Sequence, residues 1–335
     1  MLCLFALRRL FVPVLGVIGT AIILGEQSSS RMNSTEDERP VYKLIACDID
    51  GTLLRSDGST SPRTIKAIRL AQACGAKVSI ATGRRIISAM PVIDAFRMVH
   101  PAVVHCGAVV LQPGSESILM AQQIPRDTAL HVCHIAENCG VDVTVFESVY
   151  KGRALYVTPF AISDCAQPLW PRTLPECREV ATYDEACTSN PVQLCIQGNI
   201  DAVDRFLDKI DADFSNQVSF FDYGVLEDGF RVVDVFAAGV HKWMGVSFLA
   251  DMWHIRPSET IAFGDSLNDE ELIAHAGLGV AMGNSPDELK ELADLVAPTN
   301  DEDGVAIVIE SLARRGLLGH EDSKSCGEPT EEGAL

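Results

Sequence analysis

The sequence predicts an α/β fold in which a parallel sheet is interrupted by an inserted α/β domain. Three observations carry that expectation. Short apolar runs ending in turn chemistry alternate with helix-length segments between Tyr42 and about Leu111, as βαβ units and a parallel sheet require. From about Pro125 to Val235 the texture changes and strand-like segments crowd together, and after Gly239 the strand–helix alternation returns. A chain of 335 residues, 47% hydrophobic and 22% charged, is long and apolar enough for two domains with self-sufficient cores.

In order, Tyr42–Cys47 is a continuous apolar run suited to a buried parallel strand. Ser61-Pro62 supplies an N-cap and an N1 proline for a helix reaching about Cys74, closed by Gly75. Lys77–Ala81 reads as a second strand, followed by a helix through Phe96, and Val103–Val104 and Ala108–Leu111 read as further strands. Within the insertion a helix is expected near Asp127–Asn138, with strands at Val141–Phe146 and Ala154–Val157. A Pro/Cys-rich stretch from Cys165 to Cys177 follows, then a strand at Val192–Gln197, a helix at Asp201–Ile210, and strands near Val218–Phe221 and Phe230–Val235. The returning segment offers a helix at Lys242–Met252, a strand at Thr260–Phe263, a helix at Asp269–Ala276 and a strand at Gly279–Met282. Helices at Pro286–Ala293 and Gly304–Arg314 complete it. The expected organisation is therefore an extension and linker over 1–40, a discontinuous core over 41–124 and 236–315, an inserted domain over 125–235, and a disordered acidic tail over 316–335.

Composition excludes some functions. With 27 basic against 46 acidic residues and a formal net charge of −19, the chain lacks the basic footprint of a nucleic-acid binder. The 11 cysteines form no CxxC pair and several lie in apolar runs, which favours buried free thiols in a reducing compartment over a disulfide framework or a zinc cage. The first 31 residues sit uneasily with that picture: Arg8-Arg9 precede an apolar run from Leu10 to Leu24, shorter than the roughly 20 residues of a membrane span. Three readings are open there: an over-extended start with Met32 as initiator, a membrane anchor, or an export signal. A cytoplasmic location is expected, with membrane attachment through residues 1–31 as the alternative.

The chemistry concentrates in Asp48-Ile49-Asp50-Gly51-Thr52-Leu53, at the end of the first strand. Alternate strand residues face the same way, so two carboxylates emerge together where open α/β sheets bind ligands. Like charges this close require a cation or a bound group to share the load. One carboxylate can then attack phosphorus while the other moves the leaving group's proton. Read alone, a DxD pair could equally be a solvated turn.

This string resembles the first motif of the haloacid-dehalogenase superfamily, mostly magnesium-dependent phosphatases that form an aspartyl-phosphate. The resemblance implies a Rossmann-like parallel core with an α/β cap over the substrate, Asp48 as nucleophile, Asp50 as general acid/base, and Mg²⁺ held by the Asp48 side chain and the Asp50 carbonyl. Three more strings match. Ala81-Thr82-Gly83-Arg84-Arg85 would place the Thr82 hydroxyl and the Gly83 backbone against phosphate, with Arg84 positioning the substrate. Lys242, in DVFAAGVHKW, would neutralise nucleophile and phosphate. In Phe263-Gly264-Asp265-Ser266-Leu267-Asn268-Asp269, Asp265 would be the third metal ligand, Asn268 a phosphate contact, and Asp269 a ligand through water or a brace. The strings GVAMGNSPDELKELAD and APTNDEDGVA resemble the Cof-type branch in particular. One departure stands out: relatives often carry Asn-Gly-Ala after the third strand, and this chain has Cys106-Gly107-Ala108.

The expected activity is Mg²⁺-dependent hydrolysis of small phosphate monoesters, sugar phosphates foremost. The alternatives are a phosphotransferase or mutase using the same nucleophile, and a catalytically silent binding protein. The Cys165–Cys177 stretch, with Trp170, is the expected substrate-facing loop, with a plain surface loop as the alternative. His131 and His134 have ligand spacing but no nearby partner and are expected to be plain surface positions, and His241 a partly exposed structural histidine.

Overall fold

The computed structural model describes residues 41–150, 154–158, 174–214, 216–225 and 229–319. The expected features in residues 1–40, at 165–173 with Trp170, and beyond 319 lie outside these. Among the described residues no helix is long and apolar enough to cross a membrane.

The first sheet has five parallel strands. β1 (Leu44–Cys47) is central, flanked by β2 (Lys77–Ile80) and by β12 (Thr260–Gly264), beyond which lie β13 (Leu278–Ala281) and β14 (Leu295–Val296). Both faces are covered, which is why β1 is an unbroken apolar run. Ile45 and Cys47 face α1 (Pro62–Ala73) and α9 (Gly304–Arg314), while Leu44 and Ala46 face α6 (Lys242–Met252) and α7 (Glu270–His275). α1 starts where Ser61 Oγ accepts from the Arg63 backbone N–H (3.2 Å), with Pro62 at the first helical position. α2 (Ile86–Ala95) follows β2.

Three expectations need correction. The strands after α2 do not extend the parallel sheet as a block. β3 (Ala102–Val104), β4 (Val109–Gln112) and β5 (Ser117–Ala121) form an antiparallel meander, joined to the main sheet by a single parallel bridge, Ala81 to Val103. The connection between β3 and β4 is too short for a parallel crossover. The tail does not detach at Gly316: Leu317 and Leu318 are buried, and Tyr42 N–H donates to the Leu317 carbonyl while Gly319 N–H donates to that of Tyr42. Two consecutive leucines there gain more from burial than release would return. Of the described cysteines, Cys47, Cys106, Cys133, Cys139, Cys177, Cys187 and Cys195 are free thiols, but Cys74 is disulfide-bonded.

The second sheet has the order β10-β11-β9-β6-β7-β8. Its strands are β6 (Asp142–Phe146), β7 (Leu155–Val157), β8 (Cys177–Glu179), β9 (Gln193–Asn199), β10 (Val218–Val225) and β11 (Phe230–Ala237). All pairings are antiparallel except β7 with β8. α3 (Arg126–Cys139) and α5 (Ile200–Phe214) cover one face, packing Val132 and Phe206 with Val143, Leu194, Ile196, Val233 and Val235. The period-2 alternation of β9 and β11 then sends Gln193, Cys195, Gln197, Val232 and Asp234 to the other face. Those five line a cavity shared with the first sheet.

Candidate active site

The strand order reverses between β1 and β12, and ligands bind at such a switch point beyond the carboxyl ends of the strands. Asp48 follows β1 there and Asp265 follows β12. Thr82 lies just past β2, and Asn284 just past β13. Lys242 opens α6, and its ammonium is fully enclosed.

Oxygens of Asp48, Asp265 and Asp269 lie within 4.8 Å of one another. Lys242 Nζ is 2.9 Å from Asp48 Oδ1 and 2.7 Å from Asp269 Oδ1. The other Asp269 oxygen accepts the backbone N–H groups of Asp265 (3.1 Å) and Ser266 (3.2 Å), so Asp269 spends both oxygens inside the protein. Asp265 accepts from Thr52 Oγ1 (3.2 Å) and lies 3.4 Å from Asn284 Nδ2, which also donates to the Gly51 carbonyl at 2.9 Å. Gly51 has φ +72°, and a Cβ there would stand 2.0 Å from Asp265 Oδ2. Only glycine can make this turn and leave the Asp265 carboxylate in place.

Charge explains the titration behaviour. Burial pushes the Asp48 carboxyl up to about 8, with Asp269 and Asp265 adding to the rise and Lys242 opposing it. Asp265 is pushed up to about 6, by burial first and then by Asp269. For Lys242, burial works to strip the proton, but Asp269 and Asp48 outweigh it and hold the ammonium above the ordinary lysine range. Three carboxylates against one ammonium leave the cluster two positive charges short, and its donors are all hard oxygens. That charge and donor set could hold a divalent cation.

Asp50 points elsewhere. It is exposed and held by a fork from Arg84, Nε to Oδ2 at 2.7 Å and Nη2 to Oδ1 at 2.5 Å, with Arg84 Nη1 donating to the Ser88 carbonyl. Thr82 Oγ1 accepts the Arg84 backbone N–H (3.2 Å), which leaves its own O–H to donate into the cavity. Asn268 lines the same cavity and is fixed by Ser266 Oγ (2.9 Å). Every one of the nine residues singled out from the sequence (Asp48, Asp50, Thr82, Gly83, Arg84, Lys242, Asp265, Asn268 and Asp269) thus lies at this one edge. All but Asp269, which is sealed beneath, line a cavity of about 620 Å³.

His105, Cys106 and Gly107 all take positive φ (50°, 53° and 106°). His105 N–H donates to the Arg84 carbonyl and Cys106 N–H to that of Thr82, which ties this turn to the Thr82 loop. Asparagine tolerates the left-handed conformation better than cysteine, which gives the Asn of relatives a backbone reason as well as a side-chain one. Here Cys106 Sγ instead meets Tyr223 Oη of the second sheet at 3.5 Å. His131 packs against Phe214 and His134 faces Glu137 at 3.5 Å, and neither joins a metal-ligating group among the described residues.

Sequence reasoning missed Asn284 and the second-sheet wall: Phe146, Gln193, Cys195, Gln197, Tyr223, Val232 and Asp234. Asn284 had a signal, a polar residue just past a strand of the parallel sheet. Asp234 had a fainter one, a lone carboxylate in the apolar run FRVVDVFA.

Residues 45–309 match the family of haloacid dehalogenase-like hydrolases. The chain belongs to this family. It is 29% identical over 264 residues to the 5-amino-6-(5-phospho-D-ribitylamino)uracil phosphatase of Bacillus subtilis, covering 78% of this chain and 94% of that one. It is 26% identical to the pyridoxal phosphate phosphatase of Escherichia coli, covering 80% and 98%. Among solved structures, a haloacid dehalogenase-like hydrolase from Bacteroides thetaiotaomicron superposes with a TM-score of 0.67 at 24% identity, covering 81% of this chain and 99% of that one. A subclass IIB sugar phosphatase of the superfamily superposes at 0.65 with 23% identity, covering 82% and 100%. This haloacid dehalogenase-like hydrolase is a phosphatase.

Proposed function

We propose that this phosphatase hydrolyses small organic phosphate monoesters, sugar phosphates foremost, through an aspartyl-phosphate on Asp48. The observation that carries the reading is the cluster of Asp48, Asp265 and Asp269 with Lys242 at hydrogen-bond distance from two of them, opening into a cavity sized for a metabolite. Asp48, the Asp50 carbonyl and Asp265 would hold Mg²⁺, and Asp269, with both oxygens engaged, would brace the loop and Lys242. Bound there, the cation would offset the negative charge that keeps Asp48 protonated and share the charge of the phosphate oxygens.

In the proposed sequence Asp48 Oδ attacks phosphorus, and the bond from phosphorus to the ester oxygen breaks. Lys242, the Thr82 hydroxyl, the Gly83 backbone and Asn268 take the charge of the equatorial oxygens. Asp50, released from the Arg84 fork, turned inward and carrying a proton taken up from solvent, gives that proton to the departing alkoxide, then removes one from the water that opens the aspartyl-phosphate. The second sheet, built almost wholly from residues 125–235, serves as the cap that shields this step from bulk water.

Phosphate release across a set of phosphorylated metabolites, with and without chelator, tests the reading. We expect turnover that requires a divalent cation and disappears in Asp48→Asn. A flat profile across the set would overturn it. Transfer of the phosphoryl group to a second hydroxyl rather than to water would mark a phosphotransferase instead.

A further inference from the structure

The wall facing the reacting phosphate carries a buried acid with no part in that chemistry. Asp234, on β11, stands opposite Cys195 of β9 and is only 7% exposed. The side chains of Gln193, Cys195 and Tyr223 lie close to its carboxyl and oppose the effect of burial, which pushes its pKa only to about 6, so it is mostly ionised at neutral pH. The Tyr223 hydroxyl fixes its depth. A Cβ on Gly83 would lie 3.4 Å from Tyr223 Oη and 3.2 Å from Cys106 Sγ, so this hydroxyl reaches down to the Thr82–Gly83 loop. Asp234 thus neighbours, in Tyr223, a group that touches the proposed phosphate cradle.

While Asp50 still holds the Arg84 fork, the cations of the cavity wall that an entering substrate meets are matched. Lys242 pairs with Asp48 and Asp269, Arg84 with Asp50, and Arg85, itself buried, with Glu176 at 2.6 Å. Asp234 has amide, thiol and phenol neighbours instead and no ion pair among the described residues, so its charge acts on whatever enters the cavity. Gln193 and Gln197 beside it add neutral donors and acceptors, and Phe146 and Val232 add apolar surface.

We infer that Asp234 sets specificity: it accepts hydrogen bonds from a neutral or cationic leaving group and turns away a substrate with a second anionic group beside the ester. This rests on the phosphatase reading and narrows its substrate class to the monophosphates of polyols or amines, against phosphorylated acids and bisphosphates. A carboxylate brought near Asp234 finds like charge at short range in a partly desolvated wall, where repulsion is screened far less than in water.

Two matched pairs test this: glycerol 3-phosphate against 3-phosphoglycerate, and glucose 6-phosphate against 6-phosphogluconate. Calorimetric binding with Mg²⁺ is measured on Asp48→Asn, which holds the ligands without turning them over, and on Asp48→Asn with Asp234→Asn. We expect the first to bind the member of each pair that lacks the carboxylate at least tenfold more tightly. Asp234→Asn, which keeps the shape of the side chain, should compress that ratio at least fivefold. Gln197→Lys, which adds a cation to the same wall and leaves the partners of Asp234 alone, should compress it too and keeps the test open if Asp234→Asn folds poorly. A starting ratio near one, a ratio that neither substitution moves, or failure of both carboxylate-free phosphates to bind would overturn the inference. Turnover by the wild-type enzyme is scored separately. Discrimination in binding without phosphate release, from these compounds or from p-nitrophenyl phosphate, would sink the hydrolytic mechanism and leave the role of Asp234 standing.

Discussion

The two sheets build their halves of the cavity in different ways. The parallel sheet contributes strand ends: Asp48, Thr82 and Asp265 each lie just past a strand, and Asn284, past another, donates to the Gly51 carbonyl beside them. The antiparallel sheet contributes a face, with Gln193, Cys195, Gln197, Val232 and Asp234 spaced two apart along strands. Turns gather several functional groups within a few residues and so leave a contiguous string. A strand face spreads them among core positions and leaves none. One half is fixed chemistry and the other is a surface that substitution can alter without moving the reacting groups.

The sharpest way to break this contrast is to attack the first half. Asp48→Asn should lower kcat/KM by at least about 10³-fold, measured as phosphate release at saturating Mg²⁺, with the melting temperature unchanged or raised. Retention of activity would place the nucleophile elsewhere. Next comes Lys242→Met, which leaves Asp48 and Asp269 buried without their cation. Breaking a buried pair in this way costs about 3–5 kcal/mol, read as a lower urea midpoint, and added Mg²⁺ should recover part of the loss.

The seam between the sheets has its own signature. His105 donates from Nδ1 to Gln193 Oε1 at 2.8 Å, and burial lowers its pKa to about 4 from 6.5. The unfolded chain takes up a proton below about 6.5 that the folded one refuses until about 4, so this group's share of stability is complete above the upper value and is lost as pH falls. Over that interval the wild type should lose up to about 1.4 kcal/mol per pH unit relative to His105→Gln, measured by urea unfolding between pH 4.5 and 7. The smallest effect belongs to Arg84→Lys. The Arg84–Asp50 fork is solvent-exposed on the Asp50 side, so its loss should change stability by less than about 1 kcal/mol in thermal unfolding.

The same contrast decides what could be read beforehand. The parallel core was legible because β1 is apolar on both faces and because DIDGTL, ATGRR and FGDSLND each compress a strand end and its turn into a few letters. Lys242 was legible only through its neighbours, since a lone lysine names no role. Asp234 and Tyr223 were not legible: their meaning depends on which face of β10 and β11 meets the other sheet, and that is set by packing of α3 and α5 far along the chain. The meander of β3–β5 was misjudged for a related reason, because apolar runs announce strands without announcing their direction. The ordering of Leu317 and Leu318 was hidden by the polar residues after them.

The pairing of β1 with β12 also sets a timetable for synthesis. The strand that carries Asp48 leaves the ribosome about 200 residues before its neighbour, which at 5–20 residues per second is a wait of roughly 10–40 s. Throughout that interval one flank of an apolar strand stands open to any passing chain. Early docking of α1 against β1 would cover one face of that strand until Asp48 and Asp265 first meet.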